Sequence, residues 1–109
     1  MMEVQAMQEE VAKFVKEYDL AIPIRDRLLD LVSEVGELSK EVLLNTDYGK
    51  TAFQPDECWE RELGDVLFAL LCLANATEVD LSGALRVVLE KYRIRREESG
   101  EIGSGFAGY

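Results

Sequence analysis

From Leu63 to Ala76 the chain is apolar at every position except Gly64, Asp65 and Asn75. A helix of that composition has no polar side and must be covered on several faces. A carboxylate inside it is expensive unless it is paired or bound to a metal. Asp65 has Glu62 three residues before it, on the same face of the helix. A matching pair stands earlier, in Glu34-Val-Gly-Glu37. Like charges so spaced repel by about 0.2–0.5 kcal/mol per pair on an isolated helix, and bringing two pairs together costs more. A hard divalent cation with oxygen ligands removes that penalty. The pattern therefore predicts an all-α, bundle-like fold built around magnesium, with manganese (Mn2+) as a substitute.

At 109 residues the chain suits one domain, and 48% hydrophobic content with 2 Pro and 8 Gly fits a helical globule. The 22 acidic residues outnumber 12 basic ones, for a net charge of −10. That balance argues against binding a nucleic acid polymer, which needs a basic footprint. Histidine is absent, so His-based zinc sites and Ser-His or Cys-His catalysis are excluded. Cys58 and Cys72, about 21 Å apart along a shared helix, cannot bridge one another within a subunit; both read as buried thiols in a reducing cytoplasm. The acidic start does not resemble a signal peptide, and the longest apolar run is too short to span a membrane.

Four helices are legible. The first covers about residues 4–18, with Gln8 on its polar side, and the second about 24–45, after Pro23. On the second, Asp30, Glu34, Glu37 and Glu41 form an acidic stripe beside the apolar one, and Gly36 offers room for a close neighbour. A loop over 46–54 leads to Pro55 and the third helix, about 56–77, near whose end Asn75 reads as a cap. Asp80 is a natural N-cap for the fourth, about 81–98. Residues 1–98 form the domain, and 99–109 read as a flexible glycine-rich tail. Covering the third helix in so small a chain calls for a second subunit, hence a homodimer or homotetramer.

Glu-x-x-Glu, 24 intervening residues, then Glu-x-x-Asp, with Val79-Asp80-Leu81 opening the last helix, resembles the MazG-like all-alpha nucleoside triphosphate pyrophosphohydrolases over Leu28 to Arg96. The resemblance implies that Glu34, Glu37, Glu62 and Asp65 are magnesium ligands and catalytic residues. It also implies cleavage of a nucleoside triphosphate between its α and β phosphates, giving a monophosphate and pyrophosphate, in housekeeping of the nucleotide pool. Some relatives carry a further Glu where this chain has Ser33. Candidate phosphate cations are Lys40 and, by resemblance to the family's basic last helix, Lys91 and Arg95, four apart on one face; the alternative for that pair is a solvated helix end. Trp59, three residues before Glu62, is a candidate base-stacking residue or a core one. Phosphoribosyl-ATP pyrophosphatase is a rival reading, and a non-catalytic acidic interaction module is another.

Overall fold

The computed structural model describes residues 3–100. They form four helices, α1 Val4–Glu17, α2 Ile24–Asn45, α3 Glu57–Ala76 and α4 Leu81–Ser99, with no strand among them. The expected bounds hold to within one residue at every end.

The helices stop where local chemistry stops them. The N–H groups of Leu20, Tyr48 and Val79 bond back to the carbonyls of Val15, Leu43 and Ala74, closing α1, α2 and α3 in the same Schellman manner. Each closure needs a left-handed residue, and Asp19, Asp47 and Glu78 adopt it at φ 54, 48 and 57°. α4 ends on Gly100 at φ 77°, where the missing Cβ makes that conformation inexpensive. Asp56 caps α3 through the Trp59 N–H (3.0 Å), and Asp80 caps α4 through the Ser82 N–H (3.1 Å). Asn45 and Gln54 exchange two hydrogen bonds of 2.9 Å that cinch the loop between α2 and α3.

α3 is the central rod. α2 packs along it as its main partner, α1 flanks it, and α4 turns away at 101° to lean on α1. Phe14 of α1 meets Phe68 of α3 edge-on at 6.0 Å. The apolar core is confined to α3, at Ala69, Leu71, Cys72 and Ala74.

Two polar residues depart from the sequence reading, and a third, which it did not single out, is buried as well. Gln8 is buried, not on a solvated face. Its amide donates to the Asn75 side chain (3.0 Å) and the Val79 carbonyl (2.8 Å), and its oxygen accepts the Leu81 N–H (3.0 Å). Asn75 answers by donating to the Gln8 carbonyl (2.9 Å), so it ties α1 to α3 instead of capping α3. Gln8 also satisfies a first-turn N–H of α4 that has no partner within its own helix. Third, Arg27 at the start of α2 is buried and donates to the Leu20 carbonyl. Of the cysteines, Cys72 is buried as expected but Cys58 is exposed.

One chain does not cover α3. Leu63, Leu67 and Leu70 remain exposed, as do Leu28, Leu29, Val32 and Val35 of α2. A Cβ added at Gly36 or Gly64 would meet nothing within 4 Å, so neither glycine serves a close contact inside this chain. Among the described residues no single helix is long and apolar enough to cross a membrane.

Candidate active site

Two antiparallel helices meeting along one seam bring their acidic residues to the same level. Glu34 of α2 and Glu62 and Asp65 of α3 place one carboxylate oxygen each within 4.8 Å of the others. Glu62 and Asp65 are one turn apart on α3, so both flank the same gap. Glu34 and Glu62 are half-buried, and Asp65 is exposed. Glu37 lies one turn further along α2, exposed and outside this tight group. The four expected ligands thus divide into a converged triad and one neighbour.

The electrostatics suit a cation site. The Glu34 carboxyl is held above its ordinary range, first by partial burial and then by the charges of Asp65, Asp30, Glu62 and Glu37. Every one of those charges repels a second negative charge at Glu34, and no lysine or arginine forms an ion pair with the triad among the described residues. Hard oxygen donors, three from two helices with an open side toward solvent, suit a divalent cation that keeps part of its water shell. The residues therefore fit the metal that the sequence pattern implies.

Around the triad the picture is uneven. Asp30, one turn before Glu34, adds its charge to the site; it was legible as part of the acidic stripe but not as a neighbour of the triad. Glu41, Asp56 and Cys58 form a second close group further along the seam. There Asp56 already caps α3 and the Arg61 guanidinium lies 3.4 Å from the Cys58 sulfur. Lys40 is exposed on α2, one turn past Glu37. Trp59 is half-buried, its ring edge-on to Phe53 at 4.9 Å, one turn before Glu62 on α3.

The α4 cations are elsewhere. From the helical rise and the 101° bend after α3, Lys91 stands on the order of 20 Å from Asp65 in the same chain. Lys91 and Arg95 both lie against the ring of Tyr92. Arg95 is 2% exposed, so it is neither a solvated helix end nor at a surface that a phosphate reaches. α4 packs chiefly on α1, and not along the acidic seam of α2 and α3.

An all-α core with carboxylates converging from two adjacent helices defines a helical protein with a candidate metal site. The comparisons with known proteins narrow it. Residues 24–100 match the MazG nucleotide pyrophosphohydrolase domain, and the chain belongs to that family. Over 71 residues it is 42% identical to the "Uncharacterized protein YpjD" of Bacillus subtilis (strain 168), a match covering 62% of each chain. The chain thus spans under two thirds of that relative's length. Its fold is similar to the crystal structure of a Bacillus-conserved MazG protein, a nucleotide pyrophosphohydrolase. There the TM-score is 0.71 at 32% identity, covering 84% of this chain and 90% of the other. The crystal structure of Bacillus subtilis YpjD is similar too, with TM-score 0.73 at 30% identity, covering 84% and 96%.

Proposed function

We propose that the chain hydrolyses a nucleoside triphosphate between its α and β phosphates, releasing a nucleoside monophosphate and pyrophosphate, in a magnesium-dependent reaction. The observation that carries this is the convergence of Glu34, Glu62 and Asp65 within 4.8 Å, in a chain of the MazG family. Those three residues would hold the metal. When bound, the metal supplies charge neutralisation for the triphosphate and acidifies a water molecule. Glu37, outside the tight group, is the carboxylate left to take the proton from the attacking water as the anhydride bond breaks. Lys40, exposed one turn beyond it, faces solvent where a phosphate chain would arrive. Trp59, half-buried on the helix that carries Glu62 and Asp65, would stack on the base.

The working unit is proposed to be a homodimer or homotetramer. Apolar side chains left exposed on α2 and α3, beside the triad, support it, since a second copy covers them. Lys91, remote from the triad of its own chain, would then serve the site of a neighbour. Arg95 would join it only if α4 shifts on assembly. A cytoplasmic enzyme acting on damaged, non-standard or surplus nucleotides fits this chemistry.

A panel of standard and modified triphosphates, with phosphoribosyl-ATP included, tests the reading. Monophosphate and pyrophosphate from one or more simple triphosphates are expected. Turnover confined to phosphoribosyl-ATP would move the assignment to that enzyme class, and no turnover on any member would refute it. Glu37→Gln is expected to lower kcat at least a hundredfold with little change in metal affinity. A loss of metal affinity with kcat intact would contradict the role given to Glu37.

A further inference from the structure

A cavity of about 410 Å³ lies where the end of α1, the start of α2 and the end of α3 meet. Its apolar walls come from Ala12, Val15, Ile22 and Ala76, with Cys72 beside them, and its polar lining from Lys16, Asp19, Asn75 and Arg27. Burial pushes the Cys72 thiol up from its ordinary value, so that wall is uncharged. Lys16 and Asp19 sit exposed at its rim, whereas Arg27 lines the cavity while only 7% exposed. One of its terminal nitrogens donates to the Leu20 carbonyl. Among the described residues it makes no further hydrogen bond, and no carboxylate lies within ion-pair distance of it.

Arginine stays charged in any protein environment, and the Arg27 nitrogens that make no hydrogen bond are solvent-accessible, open to the cavity rather than sealed in the core. The planar guanidinium has five N–H donors in a fork that fits a carboxylate or a phosphate. Volume and lining match a small-molecule site, apolar with a few placed polar groups. The cavity is not part of the acidic site. Arg27 precedes Glu34 by two turns on α2, and Cys72 follows Asp65 by two turns on α3, an offset of about 10 Å. Ala69, fully buried, fills the seam between the two levels.

We infer that this cavity is a second binding site, for a small molecule with an apolar body and one anionic head, carboxylate or phosphate ester, held by Arg27. Occupancy would tie the connection between α1 and α2, through Arg27 and the Leu20 carbonyl, to the helix that carries Glu34. The site does not depend on hydrolysis, so its test needs none.

The test is titration calorimetry on the full chain, with chelator present so that the acidic triad takes up no phosphate-bound metal. The probes are benzoate, phenyl phosphate and neutral benzyl alcohol. At least one anion is expected to bind wild type at least tenfold tighter than benzyl alcohol, and the preferred anion identifies the head group. Arg27→Met is expected to weaken that anion at least tenfold and leave benzyl alcohol within twofold. Ala76→Leu, which fills the cavity from an exposed position, is expected to abolish binding of all three and decides the matter if Arg27→Met does not fold. Failure of both anions to bind wild type, equal anion binding by Arg27→Met, or undiminished binding by Ala76→Leu would each overturn the inference.

Discussion

Replacing Asp65 with Asn should make the metal-free protein more stable while destroying its proposed activity. In the triad Asp65 faces two other carboxylates within 4.8 Å. At that separation each pair of full charges repels by about 0.9 kcal/mol in a water-like dielectric. Removing Asp65 relieves two such pairs, and screening at physiological salt roughly halves the sum, leaving about 1 kcal/mol. For a domain of this size that corresponds to a rise in Tm of about 4–8 °C. Magnesium should reverse the order, because a ligand that binds only the folded state stabilises it by mass action. The assay is thermal unfolding by circular dichroism, wild type against Asp65→Asn, in chelator and then in millimolar magnesium. The reasoning predicts a higher Tm for the variant in chelator and a magnesium-induced rise confined to wild type. A variant less stable in chelator, or equally stabilised by magnesium, would refute it.

Other outcomes follow from the same structure. The Glu34 carboxyl is held above its ordinary 4.5, so the folded state keeps that proton to higher pH than the unfolded chain does. Its contribution to stability is complete below about 4.5 and is lost as pH rises through the folded value. Metal-free Tm should therefore fall over that window, and Glu34→Gln should flatten the profile; an unchanged slope would speak against the crowding of charge at Glu34. Gln8→Ala strips partners from Asn75, the Val79 carbonyl and the Leu81 N–H, and should cost about 2 kcal/mol, read by urea unfolding; a loss within experimental error would mean that water replaces the amide without penalty. Val32→Asp, at a position 61% exposed in one chain, should shift the species seen by light scattering toward the monomer; an unchanged mass would place the subunit interface elsewhere.

The helices were legible because their signals are local. Ile24–Asn45 follows from an unbroken apolar stripe after Pro23, and the start of α4 from Asp80, whose side chain caps it. The carboxylate pairing was legible in type but not in geometry. Residues three apart on a helix differ by about 60° around its axis, and the packing of α2 on α3 turns Glu34, not Glu37, toward Glu62 and Asp65. Periodicity also assigns burial by residue type. It could not anticipate Gln8, whose partners are 67 to 73 residues away, nor the burial of Arg27 and Arg95. The three helix stops made by Asp19, Asp47 and Glu78 in the left-handed region lacked the glycine that usually marks such a turn. Of the expected tail over 99–109, Ser99 instead belongs to α4 and Gly100 ends that helix, and 101–109 lies outside the described residues.

Phosphorus NMR of a hydrolysed triphosphate, run with magnesium and again with chelator, tests most directly whether the seam between α2 and α3 is a metal-dependent catalytic centre. Monophosphate and pyrophosphate should accumulate with magnesium, and neither should form with chelator or with Asp65→Asn. Equal product in chelator, or a diphosphate with inorganic phosphate in place of pyrophosphate, would contradict the account.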